Sequence, residues 1–116
     1  LQYGDCEAEL AYAKAPGIEI WVPPGIDLKQ DLDDVAALTC ALDLTVGFSN
    51  ASLNLAGACG APVWLVTPQA CWTQLGTDRY PWYPQARVFT PSTYADWPEV
   101  MEQMAEALKA RVGSGT

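Results

Sequence analysis

The chain has 116 residues, half of them hydrophobic and 17% charged, which suits one packed domain and excludes a disordered chain. Its formal net charge is −8, from 14 acidic against 6 basic residues with no histidine, so no clustered cationic surface for nucleic acid exists. An anionic ligand would have to rest on backbone dipoles or on a segment outside this chain.

Cys6 to Ala15 is rich in Ala and Glu and predicts a helix ended by Pro16-Gly17. Ile18 to Val22 alternates, carries β-formers and is cut by Pro23-Pro24-Gly25, which predicts a strand. The clearest helix spans Asp31 to Leu42. Its apolar face is drawn from Val35, Leu38, Thr39 and Leu42, and three aspartates crowd its positive end. Leu44 to Phe48 reads as a second, buried strand. Ser49-Asn50 offers helix caps, and Ala51 to Cys59 is a small-residue helix ended by Gly60, whose Ala56-Gly57-Ala58 permits close approach to a sheet.

Val63 to Val66 is a third buried strand, Pro68 to Pro84 is irregular, and Ala86 to Phe89 is a last short strand. Trp97 to Val112 is an amphipathic helix with Val100, Met104, Ala107 and Leu108 inward and Glu102, Glu106 and Lys109 in water. Residues 113–116 form a flexible tail. Alternation of strand and helix means an α/β domain, a Rossmann-like parallel sheet flanked by helices, over residues 1–112.

The uncharged run from Leu44 to Thr77 is broken by Ser49-Asn50, Asn54, Gly57, Gly60 and two prolines. No stretch of about 20 apolar residues survives to span a membrane. No charged-then-apolar leader opens the chain, and a cytoplasmic protein is expected. Since the chain starts at Leu1-Gln2-Tyr3 without Met, a fragment of a longer protein is also expected. Cys6, Cys40, Cys59 and Cys71 show no CxxC spacing. Buried, reduced thiols are therefore expected in preference to zinc or a disulfide.

Ligands of open α/β sheets sit outside the carboxyl ends of the strands. Ser49-Asn50-Ala51-Ser52, after Phe48, is the best such junction: two hydroxyls, an amide and free helix N–H groups suit a phosphate or diphosphate. Ser49 or Asn50 acting simply as the helix cap is the competing reading. Asp31, Asp33 and Asp34 are either acceptors for a ribose diol or complements of the helix dipole. Trp82-Tyr83 either stacks on a base or sugar or anchors a packed loop. Neither GxxxxGK[ST] nor GxGxxG is present, and no carboxylate pair suggests acid–base catalysis.

Leu1-Gln2-Tyr3-Gly4-Asp5, Asp31 to Leu38, Leu42 to Val46, Ser49 to Gly60, Pro62-Val63-Trp64, Pro81 to Pro84 and Arg87-Val88-Phe89 follow one another in a specific order and spacing. In that order the chain resembles, over about residues 1–112, the carboxyl-terminal domain of heptosyltransferase-like GT-B glycosyltransferases of the family 9 type. The version it resembles most follows tetratricopeptide repeats in bacterial proteins.

The resemblance implies a partial GT-B carboxyl-terminal domain that binds a nucleotide-diphosphate sugar. It implies no metal or other cofactor, with acceptor and catalytic base supplied by a separate amino-terminal domain or repeats. Ser49, Asn50, Ala51 and Ser52 would cradle the diphosphate, Asn54 would orient the loop or a phosphate oxygen, Asp33 would face the ribose, and Gln2 would line the cleft. The family loop carries Asp where this chain has Ser49 and His where it has Asn54. The family's first strand-helix unit has no counterpart before Leu1, which leaves a sheet edge open to self-association. The isolated chain is expected to be inactive as a transferase. A non-catalytic interaction module beside repeats is the alternative, and a generic dinucleotide domain is weakened by the missing glycine fingerprint.

Overall fold

A computed structural model describes residues 7–17, 19–21, 23–68 and 71–113. It is an α/β structure in which a three-stranded parallel sheet lies between helices. The elements are α1 (Glu7–Lys14), α2 (Leu32–Ala41), β1 (Thr45–Phe48), α3 (Ala51–Ala58), β2 (Val63–Val66), β3 (Arg87–Phe89) and α4 (Trp97–Gly113). Strand order is β1-β2-β3, with Thr45 opposite Val63 and Trp64 opposite Arg87.

All four residues of β2 are buried because the central strand is covered on both faces. On one face Val63 and Leu65 meet Leu53 and Ala56 of α3, together with Ala61 and Tyr80. On the other face Trp64 and Val66 join Phe89 and Val100 of α4, with Trp97, Met104 and Ala107 packed around them. α2 packs on α3 and buries Val35 and Thr39. Leu42, predicted on that face, is 38% exposed because the helix has ended at Ala41 and the backbone has turned extended.

α4 keeps its predicted polar side, with Glu102, Glu106 and Lys109 exposed, but Leu108 is also exposed. Gly113 closes α4 instead of opening a tail; 114–116 lie outside the described residues. The predicted helix near residues 6–15 forms as α1, yet it buries no residue. Among the described residues no helix is long and apolar enough to cross a membrane.

Two expectations are corrected. Glu19–Trp21 form no strand, and Ile20 and Trp21 are 50% and 65% exposed. Alternation supplies side chains for a strand but not a partner edge, and among the described residues no strand pairs with β1 beyond β2. Nor are the thiols buried: Cys40 and Cys59 are exposed and Cys71 is half-buried. Cys40 follows the inward Thr39 and is rotated off the buried stripe, while Cys59 caps α3 beyond its core face. The Leu1-Gln2-Tyr3 start of the chain lies outside the described residues, as does Cys6.

Candidate functional site

β1 delivers the chain to α3 at its carboxyl end. Asn50, in extended conformation, is the cap: its Oδ1 accepts from the Leu53 N–H at 3.0 Å, and its carbonyl accepts from Asn54 N–H at 3.0 Å. Among the described residues, the Ala51 and Ser52 N–H groups have no acceptor within the chain, as expected for a first helical turn. The capping reading therefore holds for Asn50, and it leaves two donors over.

A cavity of about 520 Å³ opens beside that turn, walled by α3 and by the start of α2. Ala51, Ser52, Asn54 and Leu55 line one side and Leu28, Lys29, Leu32 and Val35 the other. Its size falls within the range of about 300–1,000 Å³ usual for small-molecule sites, and its walls are mainly aliphatic. Lys29 supplies a cation to an otherwise acidic chain.

The turn carrying Lys29 is held by carboxylates. Asp27 Oδ1 accepts from the Lys29 and Gln30 N–H groups at 2.9 and 3.1 Å, and Asp31 Oδ2 accepts from the Asp27 N–H at 2.8 Å. An aspartate bonding backbone N–H groups two and three residues ahead is an Asx-type turn. Sequence reasoning missed Leu28, Lys29, Leu32 and Leu55. The usable signal was Asp27-Leu28-Lys29-Gln30-Asp31, a turn-forming carboxylate before a helix with a lysine at its tip.

Ser49 and Asn50 stand beside the cavity without lining it. Asp31 is a strut of the turn and makes no side-chain cap. Asp33 and Asp34 lie exposed in the first turn of α2, outside the lining. Gln2 lies outside the described residues.

Asn54 ties α3 to the loop that follows β2. Its Nδ2 donates to the Asn50 carbonyl at 2.7 Å and to Ser49 Oγ at 3.3 Å. Its Oδ1 accepts from Tyr83 OH at 3.0 Å and Tyr80 OH at 3.4 Å. Both amide protons and both lone pairs are thereby used. Tyr83 is thus a loop anchor, whereas Trp82 is 55% exposed and donates its indole N–H to the Thr73 carbonyl at 3.0 Å. Replacing Asn54 by Ala leaves the half-buried Tyr83 hydroxyl without its acceptor and the buried Tyr80 hydroxyl with only Ser49 Oγ at 3.4 Å, at an expected cost of about 1–3 kcal/mol. Thermal unfolding should rank Asn54→Ala below Asn54→Asp, which keeps the acceptor.

In the same loop, hydrogen bonds led by the Thr73 hydroxyl, 3.2 Å from Cys71 Sγ, pull the Cys71 thiol below its ordinary pKa. Cys59 moves the other way, raised by desolvation and then by the neighbouring Cys40 thiol.

The chain is 57% identical over 110 residues to the protein FlbA of Caulobacter vibrioides. The match takes in 94% of this chain and 18% of FlbA, so the chain spans less than a fifth of that relative's length. No known protein family's sequence profile matches the chain, and no solved structure matches it.

Proposed function

We propose that this chain is a Rossmann-like, GT-B-type domain that binds the nucleotide-diphosphate sugar of a bacterial glycosyltransferase, and that it performs no transfer alone. The observation that carries this reading is the cavity at the carboxyl end of β1, lined by Lys29 and by Ala51 and Ser52, whose N–H groups have no acceptor among the described residues. Two backbone donors at a helix start and one ammonium group answer a diphosphate; leucine and valine walls answer a base or sugar face. No side chain lining the cavity is a carboxylate, histidine or tyrosine able to act as a general base. The acceptor and the base then belong to an amino-terminal domain or repeats beyond this chain, and FlbA is long enough to hold both.

Calorimetric titration with uridine, adenosine and cytidine diphosphates tests the reading, with amide shifts followed by NMR. Binding with shifts at residues 29 and 51–54 is expected, together with about tenfold weaker binding by Lys29→Ala, since a hydrogen bond to a charged group contributes ~1.5–3 kcal/mol. No binding at millimolar ligand would overturn it. That outcome would leave a non-catalytic interaction module, a reading favoured by the full use of Asn54 inside the chain and by the outer side of β1, which pairs with no strand among the described residues. There Val46 and Phe48 are 46% and 51% exposed, a surface suited to self-association.

A further inference from the structure

α2 runs into β1 and α3 runs into β2, and those strands are parallel neighbours. Both helices therefore finish at the same end of the sheet, opposite the cavity, and they pack against each other. Cys40 occupies the last turn of α2 and Cys59 the cap of α3. The two thiols, separated in sequence by a whole strand and helix, are both exposed, and Cys40 lies near enough to help raise the pKa of Cys59. Cys71 lies elsewhere, in the loop after β2, with its sulfur engaged by Thr73.

We propose that Cys40 and Cys59 are a reversible dithiol–disulfide pair, closed by a hydroperoxide, that clips the end of α2 to the end of α3. One thiolate attacks the peroxide oxygen, the O–O bond breaks and an alcohol (water, for hydrogen peroxide) leaves, giving a sulfenic acid. The second thiol then attacks that sulfur, the S–O bond breaks and water departs. In sum, two thiols are oxidised and one hydroperoxide is reduced, yielding a disulfide, an alcohol and water. The placement of both thiols at the same end of two packed helices is what directs the reaction, because a nearby resolving sulfur captures the sulfenic acid before a second peroxide does. Solvent exposure lets both the peroxide and a reductant reach the pair.

The test treats the folded protein with one equivalent of hydrogen peroxide, blocks remaining thiols with N-ethylmaleimide, and cleaves at Asp43 and after Trp64. These cuts separate Cys40, Cys59 and Cys71. The expected product is a joined pair of fragments bearing Cys40 and Cys59, lighter by two hydrogens and parted by dithiothreitol, with Cys71 carrying maleimide. Oxidation should raise Tm by on the order of 10 °C, as closing a loop of this kind does. Cys40→Ser and Cys59→Ser should keep the parent's reduced Tm and lose the rise. Maleimide on both Cys40 and Cys59 after peroxide would overturn the proposal. So would their linkage only to Cys6, to Cys71 or to a second molecule.

Discussion

Replacing Leu65 by Ala is expected to lower stability by about 3–4 kcal/mol, the largest loss among single truncations on the α3 face of the sheet. Leu65 is 1% exposed on the central strand, paired to Gly47 on one side and Val88 on the other. It packs in the cluster that holds Leu53, Ala56 and Tyr80 to the sheet. Backbone hydrogen bonds to both neighbours fix β2, so the wall around the deleted atoms collapses only in part and a cavity adds to the lost transfer energy. Urea unfolding should show a lower midpoint with an unchanged slope. Leu108→Ala, at a position 45% exposed, is the control and should stay within about 0.5 kcal/mol of the parent. Equal midpoints for the two variants would refute this account of the core.

Gly57→Ala is expected to destabilise by about 2 kcal/mol, although alanine in a helix ordinarily gains about 1 kcal/mol over glycine. The sign follows from Tyr83. A methyl on Gly57 would lie 2.5 Å from Cδ2 and 2.7 Å from Cγ of that ring. Cγ is the root of the side chain, so the ring cannot swing clear without moving its backbone. Its hydroxyl is held by Asn54 at 3.0 Å, and its ring packs against Tyr80 with centroids 5.4 Å apart. Removing the ring should release the helix preference. In a Tyr83→Ala background, Gly57→Ala should become stabilising by about 1 kcal/mol. Chemical denaturation of the four proteins in the cycle gives the answer, and additive effects would sink the explanation. Gly57 thus makes room for a loop aromatic, while its neighbour Ala56 makes the contact with the sheet core.

The same network explains which parts of the site were legible. Asn50 or Ser49 as a cap, and α3 as a short helix after a buried strand, are local properties of Ser49-Asn50-Ala51 and the apolar run before it. Ala51, Ser52 and Asn54 line the cavity for the same local reason: they form the first turn at the carboxyl end of β1. Lys29 and Leu28 face them from a different part of the chain. That meeting depends on how α2 packs on α3, which no periodicity in either segment encodes.

The sequence by itself determined the α/β class, three parallel strands of which the central one is buried throughout, the helices between them and the bounds of most elements to within a residue. Those follow from periodicity, caps and breakers acting over a few residues. Only the tertiary structure decided that Glu19–Trp21 find no strand partner among the described residues, that Asn54 serves Tyr80 and Tyr83, and that Cys40 and Cys59 come to the same end of two packed helices. Each depends on what a residue finds across space, and hydrogen bonds or helix packing between distant segments leave no repeat in the chain to read. The cavity beside Ser52 combines both kinds of information, with a helix start written locally and a lysine wall supplied by packing.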